Sequence, residues 1–146
     1  MTDSLREHFR KLERLYRAAP INAFYEPELK IAEGAAELSI EIVPKMHHAV
    51  GAAHGSVYFK ALDDSAFFAA NSIETDVFLL TTSFHVHLIR PVSEGRITAY
   101  GRLTGRTGRL FFADSRLEDS AGNVIGTGSG TFMRSKLPLD FDRGYA

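Results

Sequence analysis

The chain has 146 residues, of which 45% are hydrophobic, 11% aromatic and 24% charged, a composition typical of one soluble globular domain with a sizeable core. The 17 Lys and Arg residues against 18 Asp and Glu residues leave a formal net charge of -1, without the basic block of a nucleic-acid-binding protein. The lack of cysteine excludes a thiol nucleophile, a cysteine-bound metal and a disulfide framework.

The N-terminal segment has no apolar core of a signal peptide, and no stretch reaches the roughly 18 apolar residues of a membrane span. We therefore expect a cytoplasmic protein that contacts neither a membrane nor nucleic acid.

The first predicted element is an amphipathic helix. Ser4 and Glu7 have the spacing of a capping box, and apolar residues then recur every three or four positions, so we expect a helix that ends before Pro20 and docks by one face. After an irregular connector, residues 29–43 mix β-branched residues with partial alternation, which predicts a strand.

Residues 54–71 are predicted to form a largely buried helix, because they lack proline and are apolar nearly all round. Turn signals divide the remaining sequence into four predicted strands, at residues 77–90, 96–106, 109–118 and 124–134. A helix, a strand, a buried helix and a four-stranded meander give an α+β class with antiparallel pairing.

Two adjacent carboxylates lie in the middle of the predicted buried helix. At helical spacing Asp63 shares a face with Phe59 and Phe67, whereas Asp64 lies nearer the polar side and is the better partner for Lys60. Desolvation by the aromatic rings would raise the pKa of Asp63, which suits a general base at neutral pH. A surface acid, or one paired with Lys60, is the alternative interpretation.

His54 and Gly55 stand at the start of the same helix, where unpaired N–H groups favour negative charge. An oxyanion would fit there, although a glycine that only lets the chain turn is equally compatible. Gly55 and Asp63 are separated by roughly 12 Å along one helix axis, since an α-helix rises about 1.5 Å per residue. If both groups act on one carbonyl, they come from two subunits related by a two-fold axis.

Residues 54–72, HGSVYFKALDDSAFFAANS, resemble the His-Gly-Gly start, the Asp nine residues after the His, and the Ala-rich helix of the hot-dog acyl-CoA thioesterases of the phenylacetate-pathway type. Downstream segments follow in the family's order and spacing, at residues 88–95, 105–110, 117–124 and 128–132.

This resemblance covers roughly residues 29–134. It implies a hot-dog fold, with an antiparallel sheet wrapped round the central helix, and assembly as dimers or dimers of dimers with active sites at the subunit interface. The expected layout is one domain, with an N-terminal helix and connector at 1–28, a hot-dog core at 29–134 and a C-terminal tail at 135–146.

The resemblance also implies residue roles. Asp63 would be the general base or nucleophile, the Gly55 N–H the oxyanion donor, and His54 a group that positions the thioester. The leading function is therefore hydrolysis of acyl-CoA or another acyl thioester, without a cofactor. Thr81, with Thr82 beside it, corresponds to a polar hydroxyl position of the family.

Two positions depart from the family pattern. Ser56 replaces the second glycine of His-Gly-Gly, and His48 stands where several relatives carry a smaller amide. Both are expected to contact substrate. They also motivate a second interpretation, a module that binds acyl-CoA without turnover. A third is a hydratase or dehydratase that uses His54 with Asp63 as acid and base.

Arg90, Arg106 and Arg109 lie at predicted strand ends or turns, where a guanidinium could meet a coenzyme A phosphate, or could simply be solvated. His85 and His87 have the spacing of two imidazoles on one strand face. A partly exposed polar face accounts for that spacing, so no metal is expected, and a histidine-bound metal is kept as an alternative.

Overall fold

The computed structural model describes residues 2–146. The helices and strands are, in chain order, α1 Asp3–Arg17, α2 Asn22–Tyr25, β1 Glu28–Ala32, β2 Ala35–Ile42, α3 Gly55–Asn71, β3 Val77–Leu88, β4 Gly95–Thr107, β5 Leu110–Glu118 and β6 Val124–Pro138. One single-turn 3₁₀ segment, Pro44–Met46, lies between β2 and α3, and another, Phe141–Arg143, follows β6. The predicted class, an antiparallel sheet around one long helix with an extra N-terminal helix, is confirmed.

Helix α1 begins two residues earlier than the capping-box pattern predicts. Thr2, not Ser4, is the N-cap, and its Oγ1 accepts a hydrogen bond from the Leu5 N–H (3.1 Å). The helix ends at Arg17, before Pro20 as expected, and buries the Phe9, Leu12 and Tyr16 stripe against the body of the protein.

The predicted strand over residues 29–43 is in fact a hairpin. Strands β1 and β2 are joined by a two-residue turn at Glu33 and Gly34, and Gly34 has a φ of +70°. That left-handed conformation suits glycine and matches the twist of a tight hairpin. The prediction missed it because apolar residues continue on both sides of the turn.

The six strands form one antiparallel sheet in the order β1-β2-β4-β5-β6-β3. Only β4, β5 and β6 form a meander, and the prediction that β3 belongs to it is wrong. Residues 89–94 cross the end of the sheet, so among residues 2–146 β3 pairs with β6 alone. Its other side is therefore an open edge, 12 residues long.

Helix α3 packs directly against the backbone of the sheet. At Gly101 on β4, an added Cβ atom would lie 2.1 Å from the Ser65 carbonyl oxygen of the helix. The missing side chain thus lets α3 lie in the concavity of the sheet, where Leu62, Ala66 and Ala70 are fully buried.

The buried Asn71 fixes the start of β3 against the end of α3. Its Nδ2 donates to the carbonyls of Glu74 (3.1 Å) and Val77 (3.2 Å), and its Oδ1 accepts from the Leu79 N–H (2.9 Å). These bonds satisfy the buried amide and set the position of β3 beside the helix.

No helix within residues 2–146 is long and apolar enough to cross a membrane. The cytoplasmic location expected from the sequence stays a prediction.

Candidate active site

Asp63 lies in the middle of α3, facing the start of β3. Its Oδ1 accepts a hydrogen bond from the Thr81 hydroxyl (3.0 Å), so these two predicted site residues lie in contact. Burial raises the pKa of Asp63 to about 6, and repulsion from Asp64 adds to this, while the Thr81 hydrogen bond and Lys60 act in the opposite direction. The carboxylate is thus largely ionised at neutral pH and basic enough to accept a proton.

Asp64, next to it, has a structural role. Its Oδ2 accepts a hydrogen bond from the Tyr16 hydroxyl (2.6 Å) and forms an ion pair with Lys60 Nζ (2.7 Å). Burial and the Asp64 charge raise the pKa of Tyr16, so this phenol keeps its proton. Because Lys60 is engaged by Asp64 in the predicted way, Asp63 is left without a paired cation among residues 2–146.

The cavity beside Asp63 has a volume of about 310 Å³ and apolar walls. Helix α1 closes one side through Leu15 and Ala19, and β3 closes another through Phe78 and Leu80. The mostly apolar lining suits an acyl group placed beside the carboxylate.

Gly55 lines a second, smaller cavity of about 240 Å³ at the other end of α3, together with His48 and Arg90. As the first helical residue, Gly55 has no intrahelical acceptor for its N–H, and no acceptor elsewhere in residues 2–146 reaches it. The predicted oxyanion donor is therefore a free N–H at the positive end of the helix dipole.

His54 caps the helix and is held by Ser56. Its Nδ1 accepts both the Ser56 N–H (3.0 Å) and the Ser56 hydroxyl (2.9 Å). Because a backbone N–H can only donate, Nδ1 is unprotonated and the proton of the neutral ring lies on Nε2. Ser56, which departs from the family pattern, here orients His54. Nε2–H is the group of His54 left to meet a ligand.

Three of the predicted binding residues lie away from both cavities. The Thr82 hydroxyl donates to the Thr131 carbonyl (2.9 Å) across to β6. Arg106 stacks on the Phe111 ring (4.7 Å), and Arg109 donates to the Arg134 carbonyl (3.2 Å), near the β4–β5 turn. Their contact with a substrate stays a prediction.

His85 and His87 lie side by side on the exposed face of β3, with ring centroids 4.8 Å apart. Across the part of the chain that the structure describes, no three His, Cys, Asp or Glu side chains converge as metal ligands. For the alternative of a histidine-bound metal, residues 2–146 thus supply two neighbouring imidazoles and no third ligand.

A larger cavity, about 540 Å³, lies elsewhere, over β1, β2, β4 and β5. Charges of both signs line it, including Lys30, Glu37 and Arg102, and no predicted site residue does. The two smaller cavities on α3 are the better candidates for an active site. One contains the Asp63 carboxylate, which has no paired cation among residues 2–146, and the other the Gly55 N–H, which has no acceptor there.

Sequence analysis missed the contribution of α1. Tyr16, Leu15 and Ala19 line the Asp63 cavity, and Tyr16 holds Asp64. The one available signal was the phenol of Tyr16 within an apolar stripe, because a buried tyrosine hydroxyl needs a partner.

Comparisons with known proteins bear on the family and the fold of the chain. The model of the thioesterase superfamily matches residues 50–125, which is more than half of the chain and includes Gly55, Asp63 and Thr81. A Saccharolobus solfataricus protein, named as an esterase on a provisional basis, is 24% identical over 104 residues, covering 71% of this chain and 69% of that protein.

The fold is shared with known structures, two of which follow. The E. coli PaaI protein from the phenylacetic acid degradation operon superposes with a TM-score of 0.82 at 14% identity, over 91% of this chain and 96% of that one. A thioesterase from Haemophilus influenzae gives a TM-score of 0.76 at 14% identity, over 86% of this chain and 88% of that one. The match over residues 50–125, which contain both α3 and the open-edged β3, shows that the chain belongs to the thioesterase superfamily.

Proposed function

We propose that the protein hydrolyses acyl-CoA thioesters at sites that form between two copies of the chain. The observation that carries this proposal is Asp63, a carboxylate in an apolar cavity whose pKa of about 6 keeps it ionised and basic at neutral pH. Membership of the thioesterase superfamily supports hydrolysis of thioesters in general.

The second half of the proposed site is the Gly55 N–H of the other subunit. Gly55 and Asp63 line separate cavities of one chain, so neither cavity holds both a base and an oxyanion donor. Two antiparallel copies of α3 would bring the Asp63 of one protomer towards the partner's Gly55.

Pairing of two copies through the open edge of β3 would bring Asp63 and the partner's Gly55 together. Thr81 lies beside Asp63, and the Leu88 side chain lies beside Gly55, 3.1 Å from the position of an added Cβ atom. When two copies of β3 pair antiparallel about a two-fold axis at residue 84 or 85, Thr81 lies opposite the partner's residue 87 or 89. Residues 87 and 89 are both adjacent to the partner's Leu88. Because Thr81 contacts Asp63 and Leu88 lies beside Gly55, either pairing would bring Asp63 towards the partner's Gly55.

The chemistry follows from these positions. Asp63 takes a proton from a water molecule as the water oxygen attacks the thioester carbonyl carbon, and the partner's Gly55 N–H stabilises the resulting oxyanion. The oxyanion then collapses, the carbon–sulfur bond breaks, and the leaving thiolate takes the proton from Asp63. Water and thioester are thereby converted to a carboxylic acid and free coenzyme A.

The decisive experiment measures thiol release from short, medium, long and aryl acyl-CoA thioesters by wild type, Asp63→Asn and Asp76→Asn. The matched control, Asp76, is an exposed acid outside both cavities, and the protein has no cysteine of its own to react with a thiol reagent. We expect Asp63→Asn to lose at least about 100-fold in kcat and the control to keep the wild-type rate.

A full rate in Asp63→Asn would overturn the proposal. Thioesters that bind wild type without being consumed would instead favour the acyl-CoA-binding module.

The oxyanion donor can be tested without removing a side chain. Proline is tolerated at the first position of a helix and lacks only the N–H, and His54 before it already has an extended ψ of 145°. We expect Gly55→Pro to lower kcat by about 100-fold or more, because one oxyanion donor contributes that much.

Gly55→Ala is the matched control, since it adds the same Cβ contact with Leu88 while keeping the N–H. Equal rates in the proline and alanine variants would show that this N–H takes no part.

A further inference from the structure

The Asp63 cavity adjoins a second apolar cavity beneath the end of α1. The second cavity, also about 310 Å³, shares Leu15, Ala19 and Phe78 with the first and extends to Leu139 and Arg143 near the C-terminal residues of the structure. The two cavities therefore adjoin along these three residues, and we call the pair the cleft; the proposed base lines its first part.

The chemistry of the cleft changes along its length. Polar and charged groups lie at the Asp63 end, where Lys60 and Tyr16 are already engaged by Asp64. Beyond them the shared walls are aliphatic and aromatic, and Arg143 is the one charged side chain lining the far cavity. An unbranched hydrocarbon chain fits such a cleft, with its reacting carbonyl at the charged end.

The wall formed by α1 is fixed in place by buried hydrogen bonds. His8 bonds through Nε2 to the Asn71 carbonyl (2.9 Å) and through Nδ1 to the Tyr145 hydroxyl (2.7 Å), and Tyr16 bonds to Asp64. The helix is thereby attached to α3 at two points, so the cleft between them is already formed.

We propose that this cleft, between α1 and the start of β3, is the acyl-chain site and selects medium-length unbranched acyl groups. The inference rests on the proposed thioesterase function and adds the substrate class to it. A linear chain spans both cavities, whereas an acetyl or phenylacetyl group reaches only the first. Each buried methylene is expected to raise kcat/KM by roughly fourfold until the cleft is full.

The test compares acetyl-CoA, phenylacetyl-CoA and decanoyl-CoA with wild type, Ala19→Leu and Ala23→Leu. Leucine at position 19 fills the junction of the two cavities, while Ala23 is exposed and lines neither. We expect wild type to prefer decanoyl-CoA, Ala19→Leu to lower the decanoyl-to-acetyl ratio of kcat/KM by about tenfold, and Ala23→Leu to keep the wild-type ratio.

An unchanged ratio in Ala19→Leu would overturn the inference, as would a wild-type preference for acetyl or phenylacetyl groups. Binding of n-decanol, measured by calorimetry, tests the cleft without turnover and is expected in wild type and lost in Ala19→Leu. If no thioester is hydrolysed but decanol binds in this pattern, the proposed function fails and the cleft stands. If thioesters are hydrolysed but decanol binds equally to both proteins, the cleft assignment fails alone.

Discussion

Thr81 and Thr82 are adjacent in sequence but act on opposite sides of β3. The Thr81 hydroxyl donates to the Asp63 carboxylate, and the Thr82 hydroxyl donates to a backbone carbonyl of β6. Only the first of these hydrogen bonds stabilises the ionised form of Asp63. Substituting Thr81 and Thr82 separately therefore tests whether the Thr81 hydroxyl lowers the pKa of Asp63, with Thr82 as the control.

A base is active when deprotonated, so kcat/KM is expected to rise with pH through about 6 and to level off above it. Thr81→Ala removes a bond that lowers the pKa of Asp63, so the rising limb should move to higher pH. Thr82→Ala should leave the limb where it is. Steady-state rates between pH 5 and 9 give the profiles, and coincident limbs in Thr81→Ala and wild type would contradict the role of this hydroxyl.

At this scale the sequence predicts the acids better than their partners. The Lys60–Asp64 pairing follows from helical spacing, because both residues lie on α3 four positions apart. The burial that raises the pKa of Asp63 also depends on α1 and β3, which line its cavity, whereas Phe59, expected to contribute, is exposed. The Tyr16–Asp64 hydrogen bond joins residues 48 positions apart. No local pattern predicts such a contact, since it depends on how α1 docks.

At the scale of elements, the contact between α3 and β4 leaves no room for a side chain at Gly101. Two glycines on β4 differ sharply in their surroundings. An added Cβ at Gly101 would lie 2.1 Å from the Ser65 carbonyl, whereas one at Gly105 would lie 3.6 Å from the Phe112 ring, an ordinary contact. Backbone atoms of a buried helix cannot move aside as a flexible side chain can.

We therefore expect Gly101→Ala to destabilise the protein by about 3 kcal/mol, because α3 must shift away from the sheet. Gly105→Ala should change the free energy of unfolding by less than about 1 kcal/mol. Chemical denaturation monitored by circular dichroism measures both. Similar stabilities of the two variants would show that α3 does not rest on the β4 backbone in solution.

Strand positions follow from the sequence, and strand order does not. Alternation and turn signals place β3 to β6 within a few residues of their observed bounds, because both signals are local. The partner of β3 is decided by the path of residues 89–94 across the end of the sheet. The local patterns alone predict a simple meander, which is wrong for β3.

At the scale of the whole molecule, the open edge of β3 is the feature that a second copy would cover. An unpaired 12-residue edge invites pairing, and this one carries exposed Leu80 and Leu88. Pairing about residue 84 or 85 would join two sheets into one and create both copies of the proposed site.

The lack of cysteine makes this pairing testable by cross-linking. A residue at the two-fold axis faces its own counterpart, and opposed Cα atoms about 4.5–5.5 Å apart lie within disulfide range. We expect either Phe84→Cys or His85→Cys to give a covalent dimer on mild oxidation. The control Lys30→Cys, on the opposite edge strand β1, should stay monomeric on a non-reducing gel, and the same result for all three variants would exclude this register.

The charges of Asp63 and Asp64 also affect release of the acid product. Asp64 is neutralised by Lys60, so the cavity carries the single negative charge of Asp63 above its pKa of about 6. A thioester is uncharged where it enters the cavity, but the acid formed from it ionises beside that carboxylate. Like charges repel strongly where water is scarce. The site would therefore expel its own product, and inhibition by the free acid would be weak at neutral pH and grow stronger as Asp63 becomes protonated.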